Sequence, residues 1–60
     1  MTHAEIIARK FDLESLPKAR LLAILADRRI AAGIRYVAGT PAEQWSKSEI
    51  AFEIAELEAR

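Results

Sequence analysis

The chain lacks the usual reinforcements of a very small fold. It contains no cysteine and only one histidine, His3, so neither disulfides nor a structural zinc site can hold it together. At 60 residues it lies near the lower size at which one hydrophobic core offsets the entropy lost on folding. We therefore expect a single small domain over residues 1–60, stabilised by helix packing, by a partner or by a second copy of the chain.

The number of large apolar side chains is smaller than the overall hydrophobic content suggests. Hydrophobic residues make up 52% of the chain, but twelve of them are alanines, which bury little surface. At about 1.5–3 kcal/mol for each fully buried large side chain, the remaining apolar residues can offset the ordering cost with little surplus. A homodimer is therefore an open alternative to a monomer.

A first helix is predicted over residues 3–11. Thr2 and Glu5 have the spacing of a capping box, in which the threonine hydroxyl and the glutamate each satisfy a free backbone amide. On this helix we expect Ile6, Ile7 and Phe11 to face inward, and Arg9 and Lys10 to face solvent.

A second and stronger helix is predicted to begin around Pro17 and to end at Gly33. Proline suits a first helical turn, Ser15 or Leu16 could cap that turn, and glycine is a frequent C-terminal stop. Apolar residues recur on this helix at spacings of three and four when Ala26 is included, and we expect them to form its inner face: Leu21, Leu22, Leu25, Ala26 and Ile30.

The stretch IRYVAG after Gly33 is rich in β-branched and aromatic residues but too short for a strand, and indicates an extended connector. We expect the side chains of Ile34 and Tyr36 to point one way and those of Arg35 and Val37 the other, because successive side chains alternate along an extended chain.

Two helix-start signals follow the connector. Thr40 stands three residues before Glu43, and Ser46 stands three residues before Glu49. One unbroken helix from Pro41 and a chain break near Trp45 are both open. We favour the break, with a last helix over residues 47–59, because Trp45 is out of phase with that helix's apolar stripe, which consists of Ile50, Ile54 and Leu57.

These elements predict an all-α fold, a small three- to four-helix domain with a short extended connector before the last helix. No run of 18 apolar residues exists, and the N-terminus lacks the order of charged and apolar residues found in signal peptides. We therefore expect a cytoplasmic protein that does not span a membrane.

The sequence contains few residues that could support catalysis or the binding of a phosphate or a metal. His3 is the single imidazole and lies in a predicted first turn, and the glycines do not form a phosphate-binding loop. Glu49, Glu53 and Glu56 share a helix face, but such a run is usually solvated. We expect no enzyme, no catalytic residue, no metal, no cofactor and no small-molecule substrate.

Charge is balanced overall but uneven along the chain. The net charge is zero, which removes the simplest argument for nucleic-acid binding. Residues 1–39, however, hold seven basic and four acidic side chains, whereas residues 40–60 hold two and five. The chain is a basic half followed by an acidic half.

Four cations and one aromatic residue suggest a basic corner that could seat phosphates. They lie at the end of the second helix, in the connector and at the start of the last helix: Arg28, Arg29, Arg35, Tyr36 and Lys47. The plainer interpretation of Arg28 and Arg29 is that they complement the dipole at a helix C-terminus. The functional interpretation is a small accessory protein that binds nucleic acid.

The segments LESLPKARLLAILADRRI and WSKSEIAFEIAEL resemble the helix–extended–helix modules, which include SAP domains, LEM-like phage domains and the N-terminal domain of the Rho terminator. The likeness covers about residues 13–57 and implies nucleic-acid binding, with Lys47 and Arg35 at backbone-contacting positions. The chain departs from that pattern in its longer connector and in its acidic last helix.

The alternative is a protein-interaction module, either self-associating or docking on a larger enzyme as a regulator. It is motivated by the alanine-rich core, by the complementary charges of the two halves and by Trp45, since tryptophan is favoured at interaction hot spots. The interface residues expected in this case are Trp45 and Phe52. A contiguous basic patch would favour nucleic acid, and scattered cations would favour a protein partner.

Overall fold

A computed structural model describes residues 2–60. Its elements are α1 (His3–Leu13), α2 (Lys18–Ala31), a short 3₁₀ turn (Ala42–Gln44) and α3 (Lys47–Glu58). No strand occurs within the described residues, which confirms the all-α class. None of these helices is both long and apolar enough to cross a bilayer. The radius of gyration of 10.9 Å is close to the value of about 10.4 Å expected for a compact chain of this length.

Helix α3 is the central element of the fold. Helices α1 and α2 pack on α3 and make few contacts with each other. As a result α3 is buried on several sides, and its residues Ile50, Ala51, Ile54 and Ala55 are completely inaccessible to solvent. Leu13 of α1 and Leu21 and Leu25 of α2 complete the buried cluster, together with Ala42 and Leu57.

Helix α1 begins as expected, with the capping box between Thr2 and Glu5 formed in both directions. It continues two residues further than predicted, and its buried residue is Leu13. The prediction that Phe11 faces inward is wrong, because its side chain is 61% exposed. Two residues at about 100° each place Phe11 on nearly the opposite side of the helix from Leu13.

Two basic residues of α1 that were expected to face solvent are partly buried at its inner edge. Arg9 and Lys10 are only partly exposed, and each pairs with a carboxylate, Glu58 and Glu14 respectively. That prediction is wrong because the methylene stems of long basic side chains can line an apolar contact while their charged groups find partners at its edge.

Helix α2 is capped differently from the prediction. Pro17 is itself the N-cap and no side chain caps the turn, whereas the Ser15 hydroxyl donates to the Asp12 carbonyl. The predicted stop at Gly33 is confirmed. Gly33 has a φ of 77°, and the N–H of Ile34 donates to the Arg29 carbonyl at 2.9 Å, which is the Schellman arrangement that glycine permits.

The inner face of α2 is formed by Leu21 and Leu25, with Leu22 partly buried. Ala26 and Ile30 were predicted to join them, but Ala26 is exposed and the Ile30 side chain is 77% exposed. Nine residues separate Ile30 from Leu21, which at about 100° per residue places the two side chains on opposite sides of the helix. The spacings of three and four were correct only as far as Leu25.

The chain breaks at Trp45, as the sequence favoured. Ser46 is the N-cap of α3, and its hydroxyl accepts from the Glu49 amide while Glu49 accepts from the Ser46 amide. The first start signal does not form a capping box, because the N-cap of the 3₁₀ turn is Pro41 and no side chain caps it. Trp45 packs against the buried cluster between these two starts.

Candidate functional site

The predicted basic corner begins with Arg28, which the structure places in an ion cluster that joins all three helices. The Arg28 Nε atom lies 3.2 Å from Glu58 Oε2, and its Nη1 atom lies 3.0 Å from Asp27 Oδ2. Arg9 from α1 donates to both oxygens of Glu58, at 2.8 and 3.1 Å. We call Arg9, Asp27, Arg28 and Glu58 the ion cluster. The Arg28 guanidinium is therefore already bonded to the two carboxylates of this cluster.

The electrostatics of the ion cluster centre on Glu58, whose side chain is 16% exposed. Hydrogen bonds from Arg9 and then from Arg28 lower the pKa of Glu58, while partial burial opposes that shift. The same contact raises the pKa of Arg9. Glu58 is the last residue of α3, where a negative charge opposes the helix dipole, so the two arginines offset an otherwise unfavourable position.

Arg29 takes a different position from Arg28. Its guanidinium carbon lies 5.4 Å from the centroid of the Trp45 ring, within the range of a cation–π interaction. The Trp45 indole N–H donates to the Thr40 carbonyl at 3.0 Å. Together these contacts hold the 3₁₀ turn against the end of α2, and Lys18 adds a bond of 2.7 Å to the Glu43 carbonyl.

Lys47 lies at the other end of α3 from the ion cluster. It lines an open surface depression with Lys10, Glu14, Ser46 and Ser48. The Lys10 ammonium lies 3.1 Å from the Glu14 carboxylate and lowers its pKa by hydrogen bonding, and Lys47 adds a smaller effect in the same direction. Glu14, the C-cap residue of α1, therefore lies in the same depression as Lys10 and Lys47 and pairs with Lys10.

The five predicted phosphate-contacting residues are thus not brought to one place. Lys47 and Glu58 are the first and last residues of the 12-residue α3, about 16 Å apart along its axis. Because Arg28 is bonded to Glu58, it lies at the opposite end of α3 from Lys47. Arg35 and Tyr36 are exposed in the connector.

The connector, which we define as residues 34–40, is the most exposed segment between two elements. Ile34 is partly buried and packs against the buried cluster. The Tyr36 side chain, by contrast, is 84% exposed and that of Val37 is 43% exposed, so Tyr36 does not share the buried side with Ile34. Arg35 lies between them and is also exposed. Another exposed apolar side chain, Ile30, precedes the connector in the last turn of α2.

The predicted interface residues have mixed positions. Trp45 is half-buried, rests on the core and donates its indole N–H within the chain. Phe52 is partly buried on α3. Exposed apolar surface lies instead at Ile30, Tyr36 and Val37, and also at Phe11, which the Lys10 ammonium approaches to 4.9 Å from the ring centroid.

Glu58 was missed by the sequence reasoning. Its signal was an acidic residue in the last turn of a helix, where the dipole disfavours a negative charge and a cationic partner is expected. As for metals, no three histidine or carboxylate side chains within residues 2–60 lie close enough together to hold an ion. His3 is exposed in the first turn of α1.

No protein-family model, no curated protein and no solved structure matches this chain. The candidate functional site therefore depends on the geometry of the connector and of the charges around it.

Proposed function

We propose that this protein is a small non-catalytic interaction module that binds another protein through its connector. The observation that carries the proposal is the exposure of the apolar side chains of Tyr36 and Val37, 84% and 43%, in a segment where only Ile34 packs against the core. Tyrosine and arginine are among the residue types that contribute most to protein interfaces, and Arg35 precedes Tyr36 directly. The function in this case is that of a self-associating unit or a regulator that docks on a larger protein.

The small number of large apolar side chains in the core supports the proposal. A chain of 60 residues has few large apolar side chains, yet Ile30, Tyr36 and Val37 remain outside its buried cluster. Covering such exposed apolar side chains with a partner is favourable. The neighbouring end of α2 is firmly held by its Schellman turn and by the Arg29–Trp45 contact, so the connector is presented on a stable base.

The distribution of charge also favours a protein over a nucleic acid. Arg9, Arg28 and Lys10 have carboxylate partners within the chain, and the complementary halves of the sequence meet at Glu58. Phosphate binding depends on cations that can release counterions from the nucleic acid, and internal ion pairs reduce that supply. The net charge of zero acts in the same direction.

Site-specific photo-crosslinking tests the proposal. A photoreactive amino acid at Tyr36 should give discrete protein adducts on irradiation in the host cell, because the ring would lie in the interface. The matched control carries the same group at Glu56, an exposed residue of α3. Adducts at Tyr36 that disappear on Arg35→Ala substitution support the proposal. Equal adduct patterns at the two positions, or none at either, would overturn it.

Nucleic-acid binding is the second candidate, favoured by one specific observation. Arg35 and Tyr36 are adjacent and exposed, which suits a phosphate contact beside an aromatic ring that stacks on a base. The resemblance to helix–extended–helix modules gives Arg35 and Lys47 the same role.

A mobility-shift titration with duplex DNA, single-stranded DNA and RNA distinguishes the two candidates. Retardation at low salt that is lost at moderate salt, and that Arg35→Gln weakens more than Arg20→Gln, would support the nucleic-acid candidate. Arg20 is the control because it is an exposed arginine of α2 outside the connector. Absence of retardation at low ionic strength would exclude this candidate.

A further inference from the structure

We infer that two copies of this chain associate through the outer faces of their α2 helices, packed antiparallel around a two-fold axis. The outer face of α2 is the side turned away from the core, and it consists of Ala19, Ala23, Ala26 and Ile30. None of these residues belongs to the connector. The inference therefore goes beyond the proposed function, and each can fail without the other.

The outer face of α2 has the opposite pattern to that of a helix side in contact with water. Leu21 and Leu25 are buried in the core. At about 100° per residue, the four residues of the outer face fall within about 60° on the other side of the helix. All four are exposed, and the Ile30 side chain is 77% exposed. The solvent side of an amphipathic helix normally carries polar residues, whereas the centre of this side is apolar, so covering it with a partner is favourable.

The spacing of the outer face suits a second helix. Its residues recur at intervals of four, three and four, which is the spacing of the seam between two helices packed side by side at about 20°. Alanine side chains let the two helix axes approach to about 8 Å, the lower end of the usual range. With a two-fold axis between Ala23 and Ala26, Ala23 lies opposite Ala26 of the second copy and Ala19 lies opposite Ile30.

The charges beside the outer face favour a second copy as the partner. Arg20 and Asp27 lie on the same flank of this face, seven residues or about 10.5 Å apart along the helix. In the antiparallel pair each Arg20 lies within about 3 Å, measured along the helix axis, of Asp27 of the second copy, and the two-fold axis makes this contact twice. The two Arg20 residues stay about 13.5 Å apart along the axis. A parallel pair would instead place Arg20 beside Lys18 of the second copy, which is a like charge.

Both flanking charges are accessible for this contact. Arg20 is exposed, and no ion pair within residues 2–60 involves it. The Asp27 side chain is 73% exposed and uses its Oδ2 atom toward Arg28, and a carboxylate can accept several hydrogen bonds. Arg20 and Asp27 also line one shallow depression together with Ala23, Ile24 and Arg28. The second copy would cover this depression along the flank of the seam.

The dimer should be weak, because α2 has 14 residues and gives a seam of only about 21 Å. Stable interfaces bury at least about 1,200 Å², and one pair of such short helices falls below that area. Sedimentation equilibrium from micromolar to millimolar concentration should therefore show a mass that rises from 6.7 kDa toward twice that value. Ala23→Glu should keep the chain monomeric throughout, because the substitution places two carboxylates close together at the axis. Ala8→Glu, at an exposed alanine of α1, should leave the association unchanged.

Exchange of the two flanking charges tests whether the partner is a second copy. Arg20→Glu alone and Asp27→Arg alone each bring like charges together and should raise the dissociation constant of the dimer by about fivefold. The double variant restores opposite charges only if two copies face each other antiparallel, and its dissociation constant should return to within about twofold of the wild-type value. Urea unfolding of the three variants at low concentration shows whether loss of the Asp27–Arg28 ion pair affects the monomer.

Disulfide formation between two different variants tests the orientation, since the chain has no cysteine of its own. In the antiparallel pair the Cα atoms of Ala19→Cys in one copy and Ile30→Cys in the other lie about 4–6 Å apart, within disulfide range. Two copies of the same variant hold their cysteines about 16.5 Å apart along the axis. An equimolar mixture under mild oxidation should therefore give at least about fivefold more mixed disulfide than symmetric disulfides, against equal amounts for random collision. The control, Ala8→Cys mixed with Ala19→Cys, should give equal amounts.

Four results overturn the inference. They are a strictly monomeric wild-type chain at millimolar concentration, a dimer that survives Ala23→Glu, a double charge variant that associates no better than the single variants, and equal amounts of mixed and symmetric disulfides from Ala19→Cys and Ile30→Cys. Circular dichroism of each variant shows that the helices remain before these results are compared. Discrete adducts at Tyr36 with another protein, in a chain that stays monomeric, would overturn this inference and leave the proposed function standing.

Discussion

Arg9 and Glu58, 49 positions apart in the sequence, are joined by two hydrogen bonds of 2.8 and 3.1 Å. Because Arg28 also bonds to Glu58, a single carboxylate connects all three helices at one end of the molecule. The basic first half and the acidic second half of the chain therefore meet inside the fold. The charge asymmetry of the sequence contributes to the chain's own stability at this point.

Replacement of Glu58 by glutamine should destabilise the fold. The substitution keeps the shape of the side chain but leaves two guanidinium groups without their charged partner, at a cost of about 1–3 kcal/mol. The measurement is the free energy of unfolding by urea. Glu56→Gln is the control, because Glu56 lies in the same last turn but is exposed. Removal of a negative charge at this end of α3 relieves the helix dipole, so Glu56→Gln should cause no loss. Similar losses for both variants would contradict the stabilising role of the ion cluster.

Stability should fall in acid because of the same residue. Arg9 and Arg28 lower the pKa of Glu58 in the folded state, so its contribution is complete above the ordinary glutamate pKa and is lost as the pH falls through the lowered one. The unfolding free energy of the wild type should decrease below about pH 4.3. The curve for Glu58→Gln should be flatter there, although Glu5 and Glu14, whose pKa values are also lowered, will leave some slope.

Ser46→Ala should destabilise the fold while Thr40→Ala should not. The two residues have the same spacing to a following glutamate, but only Ser46 makes the capping hydrogen bonds. Loss of an N-cap costs about 1 kcal/mol, whereas an exposed residue without such a role should change stability by less than about 0.5 kcal/mol. Chemical denaturation of both variants measures the difference. An equal loss at Thr40 would indicate that the first start signal is also used.

Local sequence signals correctly predicted the helix starts at Thr2 and Ser46 and the stop at Gly33. Each of these signals depends on residues within one helical turn of each other. It can therefore be recognised without knowing how the rest of the chain folds. The all-α class followed from these signals together with the apolar periodicity.

The sequence predicted the inner faces of α1 and α2 less well than it predicted the helix ends. On both helices the last apolar residue assigned to the core, Phe11 and Ile30, is exposed. A stripe defined by a few side chains is consistent with more than one face when the helix is short, and the packing partner selects between them. Here α3 selects the face containing Leu13 on α1 and the face containing Leu21 and Leu25 on α2.

The basic corner was harder still to predict, because it required the positions of carboxylates that are distant in sequence. The sequence predicted an extended connector, and its exposed residues Arg35 and Tyr36 were already among the candidates. Their exposure, and the internal pairing of Arg28, depend on tertiary contacts that spacing does not encode.

Two isoleucines should respond in opposite ways to truncation. Ile54 is completely buried in α3, so Ile54→Val should cost about 0.5–1.5 kcal/mol, and Ile54→Ala about 2–5 kcal/mol, which could unfold so small a domain. Ile30→Ala should change stability by less than about 0.5 kcal/mol, since the side chain is 77% exposed. Thermal unfolding of dilute samples measures both. A large loss at Ile30 in the monomer would contradict its position outside the core.

Arg29→Ala should expose one face of Trp45. The guanidinium lies 5.4 Å from the ring centroid and shields it from water, while the indole N–H remains bonded to the Thr40 carbonyl. Trp45 is the single tryptophan of the chain, so the tryptophan emission comes from this ring alone. We expect a red-shifted emission maximum, stronger quenching by acrylamide and a loss of stability of about 0.5–1 kcal/mol. Arg20→Ala, on the same helix but away from the ring, should leave the emission unchanged, and a spectrum unaffected by loss of Arg29 would mean that the ring is shielded by its other neighbours.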